Sequence, residues 1–232
     1  MPLIITAATR RAFDRLGDDL LRVLGSRLVA LVASSETGSV AFASTIAPGD
    51  LDALGALVGS WHQDGLETPL LLTPDELRRS LDAFPLEYQS LLDRHIVIAG
   101  TPPFAGLNIH HVYLRQACEI EAKGHLIHLR QAWLEAAGHD DRLTDVMAAS
   151  AVPLRTLLVN VARLDGGNGA TQPDEAALEG ARLAGLDVPL IGQILALAST
   201  SDPVPDTPAR MMPPYLAAAE ALWAFVDRWQ RP

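Results

Sequence analysis

Residues Leu28 to Ser34 read LVALVAS, and after Glu36-Thr37-Gly38 the chain runs straight back out as SVAFASTI from Ser39 to Ile46. Two apolar, β-branched runs around a short polar segment with glycine predict a pair of antiparallel strands joined by a tight turn. Gly38-Ser39 belongs to that turn, because apolar and β-branched residues follow it instead of a helix start. Gly25-Ser26 precedes the first strand and reads as the end of a helix, where glycine accepts positive φ. Between Gly25 and Pro48 the only acidic residue is Glu36, and the strand from Val40 to Thr45 carries no carboxylate.

Elements on either side of this pair follow from periodicity and capping. Residues 8–24 place Phe13, Leu16, Leu20, Leu21 and Leu24 on one side of an amphipathic helix. Asp50-Leu51-Asp52 follows Pro48-Gly49 and opens a helix ending around Trp61, with acidic residues at its positive end. Thr68 to Leu72 is a short strand. Thr73-Pro74-Asp75-Glu76 is the strongest local signal: Thr73 as N-cap, Pro74 at the first helical position, Glu76 closing a capping box. That helix is expected to run to about Ala83, with Pro85 interrupting before Leu86. His95 to Ala99 reads as a further strand, ended by Gly100-Thr101-Pro102-Pro103. Beyond it the pattern is helical only: 108–137, 141–164 with Pro153 kinking or breaking it, 174–183, 188–198 and 214–230. The expected fold is α+β, with a small mixed sheet and its helices over residues 1–102 and a helical bundle over residues 103–232.

Composition narrows the function classes. A chain of 232 residues with 49% apolar residues and mean hydropathy +0.17 can bury a substantial core. Its net charge of −10 and pI near 5.0 argue against a nucleic-acid backbone as partner, which would need a basic stripe. Cys118 is the single cysteine, so no disulfide forms within the chain and a reducing compartment fits. Arg10, Arg11 and Asp14 interrupt any signal-peptide core, and no run reaches the twenty apolar residues expected of a bilayer span. These observations predict a cytoplasmic protein with no membrane partner.

Two segments carry a family likeness. LLLTPDELRRSLDAFPLEY from Leu70 to Tyr88 and LRQACEIEAKGHLIHLR from Leu114 to Arg130 resemble a bacterial nucleotidyltransferase-like family, the second being close to that family's usual helix. Arg115, Cys118, Glu119, Glu121, Lys123, Leu129, Arg130 and Gln131 match its pattern, whereas Ile120 and His125 depart from it. The resemblance implies a polymerase-beta-type α/β layer followed by a helical bundle. It also implies a first strand ending in Gly-Ser, a short helix, and a second strand bearing Asp-x-Asp. About ten residues that would hold those elements are absent here. Nucleotidyl transfer needs adjacent carboxylates to hold magnesium and free N–H groups to cradle phosphate, and this strand pair offers neither. The resemblance therefore implies a degenerate, non-catalytic site. In related transferases a helical-domain carboxylate can face the nucleotide cleft as general base, a place that Glu119 or Glu121 could take.

The helix from His110 to Arg130 is the densest polar element. Glu121, His125 and His128 fall at i, i+4 and i+7 and project from one face, so one helix offers a carboxylate and two imidazoles to a metal. His111, Cys118 and His125 form a second stripe at sevens. Against a metal site stands the lack of a ligand pair elsewhere in the chain. The bland alternative is a polar helix edge at an interface, with Arg115 and Glu119 as an intrahelical ion pair. Three functions remain open. The first is a degenerate nucleotidyltransferase-like protein that binds a protein partner, a second copy of itself, or a small ligand in an interdomain cleft, with no cofactor. The second is an active magnesium-dependent enzyme using Glu36, Asp50 or Asp52 with Glu119 and Glu121. The third is a helical metal-binding protein built on Glu121, His125 and His128.

Overall fold

A computed structural model describes residues 6–34, 38–166, 172–198 and 208–230. Helix α1, Ala7–Leu24, starts at Thr6, whose hydroxyl accepts the Thr9 N–H at 3.1 Å. It ends at Gly25, where φ is 58°, the left-handed conformation that glycine adopts without penalty. Strands β1 (Leu28–Ser34) and β2 (Gly38–Ala43) pair antiparallel, with Leu31 opposite Ala41 and Val32 opposite Val40. The turn residues Glu36 and Thr37 lie outside the described residues. Strand β3, Leu70–Leu72, adds parallel to β2, and β4, Ile96–Gly100, adds antiparallel to β1. The result is a mixed four-stranded sheet in the order β3-β2-β1-β4, and the fold is α+β.

The central strands are buried on both faces, which explains why their sequences are continuously apolar instead of alternating. On one face Leu31, Ala41 and Ala43 pack with Leu16 and Leu20 of α1, Leu54 of α2 (Pro48–Gly55) and Trp61 of α3 (Val58–Gln63). On the other, Val32, Val40 and Phe42 pack with Leu77 of α4 (Pro74–Arg79), Tyr88 and Leu91 of α5 (Pro85–Asp93), and Ile109. Sequence periodicity predicted one helix from Asp50 to Trp61. The structure has two, because α2 stops at Gly55 and the chain re-enters helix at Val58. Likewise α4 stops at Arg79, well before Ala83, and Pro85 opens a new helix at its first position instead of merely interrupting the old one.

Compact units cover Met1–Ile109 and His110–Pro232. The second is a helical assembly of α6 (His111–Ala136), α7 (Asp140–Leu164), α8 (Pro173–Leu183), α9 (Val188–Ala196) and α10 (Pro208–Arg228). Helix α7 is its axis and touches all four others. Buried along it are Leu143, Met147, Ala151, Leu154, Leu158 and Val161. It is also, among the described residues, the one helix long and apolar enough to cross a membrane by length and composition, although Arg155, Asn160 and Arg163 interrupt its apolar run. Half of that apolar window is buried inside the protein, as in a core helix. Pro153 does not break α7, nor do Pro213 and Pro214 break α10; all three rings lie on exposed faces. Helices α7 and α8 approach closely at Gly180, where an added Cβ would lie 2.0 Å from the Leu158 carbonyl oxygen. On α6, Leu126 and Leu129 are buried, whereas Val112 is exposed.

Candidate functional site

The carboxylates nearest the strand pair are committed to structure. Both oxygens of Asp50 take the Arg27 guanidinium, at 2.5 and 2.7 Å, and one also accepts the Ala47 N–H at 2.8 Å. The Arg27 hydrogen bonds, reinforced by the Ala47 N–H, hold the Asp50 carboxyl down at about 2. This fork ties α2 to the turn before β1 and takes three of the carboxylate's roughly four lone-pair sites. Asp52 is exposed on α2, and Glu36 lies outside the described residues. The described residues of β1 and β2 therefore do not fit magnesium: the strands supply small and apolar side chains to two buried faces.

Glu119 and Glu121 do not converge either. Two residues apart on α6, they point roughly 200° from one another. Glu119 takes Arg115 at 2.8 Å, the intrahelical pair expected from the sequence, and Arg115 reaches on to the Val226 carbonyl of α10 at 3.2 Å. Cys118 is buried, and burial pushes its thiol up to about 12, which removes it as a nucleophile at neutral pH.

Glu121, His125 and His128 do share a site. They line one wall of a groove of about 500 Å³ between α6 and α7, together with Gly124 and Leu129. Val146, Ala149, Ser150, Pro153 and Leu157 of α7 form the opposite wall. Among the described residues no group of three His, Cys, Asp or Glu side chains is placed to hold a metal ion. What the stripe forms is a mostly apolar cleft with a few polar groups, within the volume range of small-molecule sites.

Counting protons fixes the polarity of that cleft. The Ser150 hydroxyl donates to the Met147 carbonyl at 2.8 Å. Having used its proton there, Ser150 Oγ accepts from the Tyr215 hydroxyl, also at 2.8 Å. Tyr215 has then spent its own proton, so its oxygen accepts from His125 Nε2–H at 2.9 Å. This chain fixes the Nε2–H tautomer and leaves Nδ1 of His125 as a bare acceptor. Burial, with the neighbouring His128 second, lowers the His125 pKa to about 4, so the ring is neutral at physiological pH. Burial likewise raises the Tyr215 hydroxyl above its ordinary value. Across the groove, Pro153 has no N–H to give the Ala149 carbonyl four residues back, which leaves a second acceptor at the wall. Glu121, exposed at the rim, adds a carboxylate. Three acceptors thus stand beside one further ring, His128, which carries at least one N–H donor.

Sequence reasoning identified the α6 stripe but not its partners Ser150 and Tyr215. Tyr215 carries no local signal of its partners, and Pro153 was legible only as a helix irregularity. Comparison of the chain with protein-family models, with curated proteins and with solved structures finds no match.

Proposed function

We propose that this protein is a non-catalytic, nucleotidyltransferase-like binding protein whose α6–α7 groove takes a small, largely apolar ligand bearing an ammonium or other N–H donor. The observation that carries the reading is the groove's lining: an apolar cavity of about 500 Å³ whose polar groups include the Glu121 carboxylate and the bare Nδ1 of His125. Apolar walls supply affinity through burial, at about 25 cal/mol per Å². The acceptors select for a donor, since an acceptor-bearing ligand would face lone pairs with no proton between them. The non-catalytic part is supported by the carboxylate-free strand β2, buried on both faces, and by the commitment of Asp50 to Arg27.

Fluorescence titration with two probes of identical body tests the reading. 1-Naphthylmethylammonium should bind the full chain at least about tenfold more tightly than 1-naphthylacetate, a difference of about 1.4 kcal/mol. Ala149→Trp, which fills the groove from an exposed position, should abolish binding, and Glu121→Gln should shrink the preference for the cation. Equal binding of both probes, or binding indifferent to Ala149→Trp, would overturn the assignment.

A further inference from the structure

The face of α6 opposite its buried side carries a second pattern. Tyr113, Ile120, Ile127 and Leu134 recur every seven residues, and they are 41%, 64%, 49% and 82% exposed. Between them, at the alternate heptad position, stand Ala117, Gly124 and Gln131. Large apolar residues thus alternate by threes and fours with Ala117, Gly124 and the polar Gln131 along a line on the far side from Leu114, Ala122 and Leu129, which are buried. Contacts on the rest of the circumference are accounted for. Helix α7 lies on one side, and α10 lies on another, with Lys123 over the Trp223 ring at 3.4 Å and Arg130 on Glu220 at 2.5 Å. The exposed line faces a third direction, where no described helix of this unit lies.

We infer that this line is a dimerisation seam, and that its occupant is the same helix of a second copy running parallel to it. A heptad of exposed apolar residues is what a second helix buries, because side chains spaced by threes and fours stay on one seam along a supercoiled pair. Ala117 and Gly124 let the two backbones approach closely while the larger residues interdigitate. Charge selects the partner and its direction. One edge of the seam reads Gln116, Lys123, Arg130, and the other reads Glu121, His128, Glu135. In a parallel pair each position of the first edge meets the position five residues later on the other copy's second edge. Arg130 of one copy, which also holds Glu220 of its own α10, then meets Glu135 of the other, while Gln116 meets Glu121 and Lys123 meets His128, twice each by symmetry. An antiparallel pair would instead set Lys123 and Arg130 against their own kind. The paired helices would also stand beside the open side of each α6–α7 groove, since Ile120 and Gly124 belong to both surfaces.

Sedimentation equilibrium of the full chain tests the association. At about 50 µM the wild type should show twice the 24.9 kDa chain mass. The double variant Ile127→Glu with Leu134→Glu, at positions outside the groove lining, should return to the single-chain mass with an unchanged circular-dichroism melt. Direction is read separately: Ile127→Cys and Leu134→Cys, made singly, should each cross-link to their own counterpart under mild oxidation, because in an antiparallel pair at most the one position on the twofold axis meets itself. A monomer at every concentration, or a dimer that survives both glutamates, would overturn the seam. A dimer sensitive to the glutamates but refractory to cross-linking at either cysteine would overturn the parallel arrangement.

Discussion

Tyr215 gives its single hydroxyl proton to Ser150 at 2.8 Å and takes the His125 Nε2–H on its oxygen at 2.9 Å, so both neighbours depend on that hydroxyl. Replacing it with Phe strands Ser150 Oγ and His125 Nε2–H inside the bundle. Tyr215→Phe should therefore cost roughly 1 to 3 kcal/mol in denaturant unfolding, more than a lost exposed hydrogen bond; an unchanged midpoint would mean the chain of bonds is not formed. His125 makes a pH prediction. Its folded pKa of about 4 lies below the ordinary value of about 6.5. Between those values the unfolded chain binds a proton that the folded protein refuses, so this contribution is complete above the ordinary value and is lost as pH falls toward 4. His125→Gln should flatten the stability profile across that window in thermal melts. The heptad positions of Glu121, His125 and His128 were legible because helical spacing is arithmetic. Their hydrogen-bond partners were not, since Ser150 and Tyr215 arrive from helices 25 and 90 residues away.

Individual elements follow their local chemistry where caps are strong and depart from it where tertiary contacts decide. Thr73 Oγ1 accepts the Glu76 N–H at 3.1 Å, and Glu76 accepts the Thr73 N–H at 2.7 Å. This is the capping box predicted from Thr-Pro-Asp-Glu alone, and Thr73→Ala should lower stability by about 1 kcal/mol in chemical denaturation. The end of α4 was not legible, because Leu81 and Phe84 continue an apolar pattern while the backbone has already left the helix at Ser80. The break between α2 and α3 is similar: Leu54, Leu57, Val58 and Trp61 all pack on one core, so their spacing does not register the two-helix geometry. Helix α10 begins before the prolines at 213 and 214, with Met211 and Met212 buried, where the sequence placed its start at Pro214. At the α7–α8 crossing, Gly180→Ala would drive a methyl into the Leu158 carbonyl. It should destabilise by at least about 1 to 3 kcal/mol in the same assay, despite alanine's higher helix propensity.

At the scale of the molecule, the α+β frame and the helical second half were readable from the change of period after Pro103. The division of labour between the parts was not. The sheet reads as a candidate chemical centre, yet its two middle strands are the most completely buried elements of the first unit, with apolar cores on both faces. Polar groups with acceptors to offer gather instead between α6 and α7. The proposal that the strand pair does not transfer nucleotides and that the chain works by binding is the central one. Calorimetric titration of the full chain with ATP in the presence of magnesium, and again with manganese, tests it most directly. No heat above dilution is expected from either. Micromolar, metal-dependent binding that disappears on substitution of Asp50 or Glu121 would contradict it.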